Sequence, residues 1–195
     1  IKRIILMINR RDFMLTSLAA PLLLTAKGPH AQTAESGKML LAMHQNTSSA
    51  AGFRGSLEGW SRAGIEYVEL NDQLLDGFLE SDNLSGARNL LEDLGLTPVS
   101  AAVTLPDLWI PGPERQSSLE AWRMRCDQFA ALGVDKIYSP SVTFREVTSE
   151  DFAATPAAIR EVSIIAGEYN LICMIEFLRT SRHLATLTSA LNVIR

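Results

Sequence analysis

The chain has 195 residues, 47% of them hydrophobic, a content that excludes a disordered chain and makes one globular domain the first expectation. Its charge is uneven: residues 1–34 hold Lys2, Arg3, Arg10, Arg11 and Lys27 against Asp12, leaving 13 basic and 21 acidic side chains, a formal −8, for the rest. With only Lys38 and Lys136 for lysines, that acidic body is a poor polyanion binder, and nucleic acid is excluded as a partner.

The first segment reads as an export signal. Basic Arg10-Arg11 precede an apolar stretch of about a dozen residues, then a polar Lys27-Gly28-Pro29-His30. The stretch is short of the ~20 residues a membrane span needs, and Pro21 interrupts it. Asn9-Arg10-Arg11-Asp12-Phe13-Met14 resembles the twin-arginine signal, keeping both arginines and Phe13 while departing at Asn9, Met14 and Leu15. The resemblance implies a bacterial, periplasmic protein delivered by the twin-arginine export machinery, with residues 1–34 as signal and tail. The alternative is an amphipathic first helix of the domain.

From Lys38 onward one rhythm repeats. A short strand over 38–43 ends at His44, and a helix is expected over 56–63 with Ser56 as its cap. A second strand spans 65–70, a helix 82–94 and a third strand 97–103. A proline-rich loop, Leu105 to Pro113, leads to an amphipathic helix over 118–132 and a fourth strand over 135–139. A helix over 150–169, a fifth strand over 171–177 and a helix over 181–194 complete the series. Gly64, Gly95 and Gly133 each stand between a helix and an apolar strand start, where the chain needs a left-handed residue. Five consecutive βα units mean parallel strands and an α/β class. Cys126 and Cys173 show no metal or redox spacing and read as buried free thiols.

Strand five, Leu171 to Phe177, is an apolar run broken by Glu176 and reads as buried on both faces. A carboxylate at the C-terminal end of such a strand is costly without a cationic or hydrogen-bonding partner, and strand ends are where α/β folds build ligand sites. Glu176 is therefore the first candidate functional residue. Strand alternation puts it on one face with Met174 and Ile172, and puts Tyr67 and Glu69 on the same side of strand two. His44 at the end of strand one, Glu69, and Trp109 as a ring over a ligand are candidate substrate-binding residues. His183 is expected on a solvated helix.

A flavodoxin-like doubly wound sheet accommodates five strands equally well, but Gly52-Phe53-Arg54-Gly55 lacks the spacing of a phosphate-cradling loop. Gly64-Ile65-Glu66-Tyr67-Val68-Glu69-Leu70 resembles the second strand of the xylose isomerase-like TIM barrels. Phe129 to Ile137 is similar to their fourth unit, and Ala166 to Leu171 running into Met174-Ile175-Glu176-Phe177 to their fifth. The resemblance implies a (β/α)8 TIM barrel of which residues 35–195 supply about five units, so that the chain is expected to be a fragment and inactive alone. It implies a sugar isomerase or epimerase, with a small sugar or polyol as substrate. It also implies a divalent metal (Mn, Mg, Co or Zn) held by Glu176 and by ligands from strands six to eight, polarising substrate oxygens during proton transfer. Inosose dehydratase and hydroxypyruvate isomerase chemistry belong to the same superfamily. A non-catalytic, exported carbohydrate-binding barrel is the rival reading, and the oligomeric state is left open.

Overall fold

The computed structural model describes residues 39–194; the export signal read over residues 1–34 lies outside them. Five strands, β1 (Ala42–His44), β2 (Tyr67–Asn71), β3 (Thr97–Ala102), β4 (Lys136–Pro140) and β5 (Ile172–Glu176), form one sheet in the order β1-β2-β3-β4-β5. Every neighbouring pair is parallel. The connecting helices are α1 (Gly52–Arg62), α2 (Asp72–Leu79), α3 (Leu84–Asp93), α4 (Arg115–Ala131) and α5 (Ser149–Glu168), with α6 (Leu187–Ile194) after β5. A doubly wound sheet reverses its strand order at a switch point, and this one does not. With crossovers of one hand, a sequential parallel order keeps all helices on one face, which is the arrangement of a barrel.

Strand alternation sorts the side chains. Val68, Leu70, Ala101 and Ile137 are fully buried against Leu57, Leu75, Leu90, Trp122, Phe129 and Val162 of the helices, in a single core. Each buried Val, Leu, Ile or Phe among them contributes roughly 1.5–3 kcal/mol through burial. Tyr67, Glu69, Tyr138, Met174 and Glu176 take the opposite parity and line the other face. The expected turns form: Gly64, Gly95 and Gly133 have φ of 77°, 66° and 85°. After α5 the same left-handed position is taken by Asn170 (φ 60°), whose short polar side chain tolerates it.

Several boundaries differ from the sequence expectation. Helix α1 starts at Gly52, so Ser56 is inside it, buried, its hydroxyl donating to the Phe53 carbonyl at 3.0 Å. Helix α2 was not expected; Asn71 caps it, its side chain accepting from Leu74 N–H at 3.0 Å. Helix α3 begins at Leu84, with Asn83 as its cap accepting the Gly86 N–H at 3.0 Å. Helix α6 begins at Leu187, because residues 178–184 loop back onto β4's end: Leu184 N–H donates to Ser141 Oγ at 3.2 Å, and Leu178 N–H to the Leu184 carbonyl at 3.0 Å. Strand β5 is not buried on both faces. It is an edge of the sheet, and Ile172, on the non-helical face, is 59% exposed. Both cysteines are free thiols, Cys126 fully buried and Cys173 half-buried.

Candidate functional site

The C-terminal ends of β1 to β5 gather polar side chains on the face away from the helices. In register, His44 pairs with Glu69, and Glu69 with Ser100. A bulge produces the second pairing: Val68 faces Pro98, but Glu69 faces Ser100, so Val99 is the extra residue. Without that extra residue an apolar side chain would stand opposite the carboxylate. Further along, Ala102 pairs with Tyr138, Tyr138 with Met174, and Pro140 with Glu176.

Glu69 is the hub. Tyr138 Oη donates to its Oε1 at 2.8 Å, and Ser100 Oγ donates to its Oε2. His44 Nε2 lies 3.4 Å from Oε1. His44 Nδ1 accepts the Asn46 N–H at 2.9 Å, so the neutral ring carries its proton on Nε2, facing the carboxylate. Burial, followed by the bond to Glu69, pushes the Tyr138 phenol well above its ordinary range. The Glu69 and His44 side chains keep 22% and 26% exposure, enough to meet a ligand.

Glu176 is different in kind. Its carboxylate has no hydrogen bond or ion pair among the described residues. Burial first, and the negative charge of Glu69 second, raise its pKa, while His44 opposes them. A divalent metal would relieve that imbalance, yet among the described residues no group of three or more His, Cys, Asp or Glu is placed to hold one. These residues supply one candidate arm and do not by themselves make a metal centre.

His44, Glu69 and Glu176 are thus brought together, and Trp109 is not among them. Its indole is 2% exposed within the core, with Nε1 donating to the Ser139 carbonyl at 3.2 Å. The proline-rich loop folds inward as a plug of Leu108, Trp109 and Ile110, all buried, so Trp109 is a packing residue rather than a ring over a sugar. The expectation for His183 is also corrected. It is buried in the loop after β5, with Nε2 2.8 Å from Thr155 Oγ1 and its ring 5.1 Å from Phe152.

Tyr138 and Ser100 were missed by the sequence reading. The available signal was the parity of β4, where Ile137 and Ser139 face the helices and Tyr138 must face Glu69. Gln45 was missed too. Fully buried, it donates to Ser56 Oγ at 3.1 Å and accepts the Asn71 N–H at 2.9 Å, fixing the loop after β1 against the end of β2. A groove of about 700 Å³ lined by Arg115, Leu119 and Ile164 lies between α4 and α5 and includes none of the residues of this cluster.

The described residues have the fold of the first five βα units of a TIM barrel. Similar solved structures include a xylose isomerase-like TIM barrel/4-hydroxyphenylpyruvate dioxygenase fusion protein (20% identity, TM-score 0.68, covering 81% of this chain and 25% of that one). Another is the IolI protein with a zinc atom (16% identity, TM-score 0.68, 80% of this chain and 58% of that one). A third is a D-allulose 3-epimerase from Methylomonas sp. in complex with D-allulose (21% identity, TM-score 0.64, 80% of this chain and 58% of that one). The chain therefore spans well under two thirds of the length of these structures. No protein-family model matches it, and no curated protein sequence does.

Proposed function

We propose that this chain is part of a sugar isomerase or epimerase that moves a proton on a carbon next to a carbonyl. Glu176 would serve as one carboxylate ligand of a divalent metal, and His44 and Glu69 would stand on the substrate wall. The carrying observation is Glu176 at the end of β5, without a partner among the described residues and on the same non-helical face as the hydrogen-bonded Glu69 cluster. Similarity to an epimerase holding D-allulose and to a zinc-bearing barrel supports the reading. The remaining metal ligands would come from further βα units, so the 195 residues alone are expected to turn nothing over. We also propose twin-arginine export to a bacterial periplasm, on Arg10, Arg11 and Phe13; loss of export of a folded reporter on Arg10→Lys with Arg11→Lys would support it.

The test is a Mn²⁺ titration of the full-length protein and its Glu176→Gln variant, followed by incubation with a ketohexose in D₂O. The reading expects metal binding weakened at least about ten-fold by the substitution, and deuterium entering the sugar carbon only in the native protein. Equal metal affinity in both proteins would sink the ligand assignment. Sugar binding without deuterium entry would favour the non-catalytic binding barrel.

A further inference from the structure

Glu69 consumes hydrogen-bond donors, and that decides what the neighbouring hydroxyls have left to offer. Tyr138 Oη has one hydrogen, given to Oε1, and Ser100 Oγ has one hydrogen, given to Oε2. Each oxygen keeps only lone pairs for a third partner. No Arg or Lys stands in β1, β2 or β3, and Lys136 of β4 holds Asp135 at 3.0 Å. The wall from His44 to Tyr138 is thus rich in acceptors beside a carboxylate.

We propose that Glu69 is a positioning residue that turns Tyr138 and Ser100 into acceptors, so that the wall selects an uncharged sugar and disfavours its phosphate ester. A sugar hydroxyl brings the donor such a wall lacks. A phosphate monoester, near −2 at neutral pH, brings mainly acceptors and meets the carboxylate with like charge. The bulge at Val99 belongs to the same device, since it puts Ser100 rather than Val99 opposite Glu69. The inference rests on the sugar reading proposed above.

The experiment measures binding of D-allulose and of D-allulose 6-phosphate to the full-length protein and to Glu69→Gln and Tyr138→Phe. It also follows the ¹³Cζ resonance of Tyr138, and melting curves check folding. The native protein is expected to favour D-allulose by at least about ten-fold. In Glu69→Gln one carboxylate oxygen becomes an NH₂ donor and the charge is lost. One hydroxyl must turn, the Tyr138 resonance shifts, and the preference falls to within about three-fold because the phosphate ester gains. In Tyr138→Phe, D-allulose binding weakens with no gain for the ester. A native preference for the phosphate ester, captured for example by Arg179 or Arg182 on the loop after β5, would overturn the proposal. So would an equal loss for both sugars in Glu69→Gln, the result of a merely structural role. If the native protein binds neither sugar, it is the sugar reading that fails; the Tyr138 resonance then decides the positioning role by itself, and no shift in Glu69→Gln overturns it.

Discussion

Tyr138 on β4 reaches past β3 to donate its hydroxyl to Glu69 on β2 at 2.8 Å, tying together strands that are not neighbours in the sheet. The bond spans 69 residues of sequence and uses a partly buried phenol whose ionisation is suppressed by burial and then by the carboxylate it meets. Tyr138→Phe removes it and leaves Glu69 with Ser100 and His44. The expected cost is about 1.5–3 kcal/mol, the range for hydrogen bonds to charged groups, measured by denaturant unfolding. An ultraviolet titration should find a tyrosine that ionises well above the ordinary phenol range in the native protein and is absent from the variant. A high-ionising tyrosine that persists in Tyr138→Phe would contradict the assignment.

His183 makes stability depend on mildly acidic pH. Burial pushes its imidazole down to about 4; Asp151 and Asp107 pull it upward, and Arg145 downward. Thr155 Oγ1 gives its hydrogen to the Asp151 carbonyl at 2.8 Å and so accepts from His183 Nε2–H, leaving Nδ1 buried without a partner among the described residues. Above pH 6.5 both folded and unfolded chains hold the ring neutral. Below it the unfolded chain takes up a proton that the folded chain refuses until about pH 4, so stability falls across that window. The loss should be on the order of 2–3 kcal/mol and should be largely absent from His183→Gln. Asp151, held by Arg145 through two 2.7 Å bonds, has its carboxyl well below the usual range and adds its own loss only at lower pH. A variant retaining the full decline between pH 6.5 and 4 would show that another group is responsible.

The sequence carried the α/β class and the three glycine turns, because those depend on local chemistry: apolar runs, caps and residues that accept positive φ. The sequential strand order came only with the family resemblance, since five βα units fit a doubly wound sheet as well. Glu69 and Glu176 were legible because period-two alternation fixes which side chains share a face, and His44 because it ends strand one. Trp109 and His183 were not, since burial of a loop depends on what the rest of the chain packs beneath it. Nothing local distinguishes a proline-rich loop that plugs a core from one that arches over a ligand. Ser100 escaped because its facing depends on a bulge, and a bulge is a property of two strands together. Helix α2 was legible after all, in Asn71 followed by Leu74, Leu75 and Phe78, but its eight residues and Gly77 hid the period.

Two arginine pairs that look alike on paper should differ when tested. Arg125 on α4 holds Asp76 of α2 through two bonds of 2.6 Å, with its own side chain 11% exposed. Arg88 meets Glu92 within α3 at 3.0 Å, with both side chains more than 60% exposed. The first is bidentate, shielded and joins two helices; the second is a solvated i,i+4 pair. Arg125→Ala is expected to lower stability by about 1–3 kcal/mol, and Arg88→Ala by no more than about 0.5 kcal/mol. Arg125→Lys should recover only part of the loss, because an ammonium cannot reproduce the two parallel bonds. Urea midpoints for the three variants would settle the order, and equal effects of the two alanine substitutions would refute it.

Glu176 offers the sharpest separation between a structural and a functional carboxylate. A paired, buried carboxylate is strongly destabilising to neutralise, by about 3–5 kcal/mol where its partner is left uncompensated. Glu176 is exposed and has no such partner among the described residues; partial desolvation, then the charge of Glu69, raise its pKa, so its ionised form opposes folding only mildly. Its stabilising influence is present below the ordinary carboxylate pKa of 4.5 and is lost as pH rises through the higher folded value. Glu176→Gln removes that penalty. At neutral pH, in chelator and without added metal, the variant should therefore melt at the same temperature as the native protein or slightly above it. The difference should vanish near pH 4, where the native carboxyl is itself largely protonated. A clear fall in melting temperature at neutral pH would mean that Glu176 holds the fold together, and its assignment as a ligand-binding carboxylate would lose its physical basis.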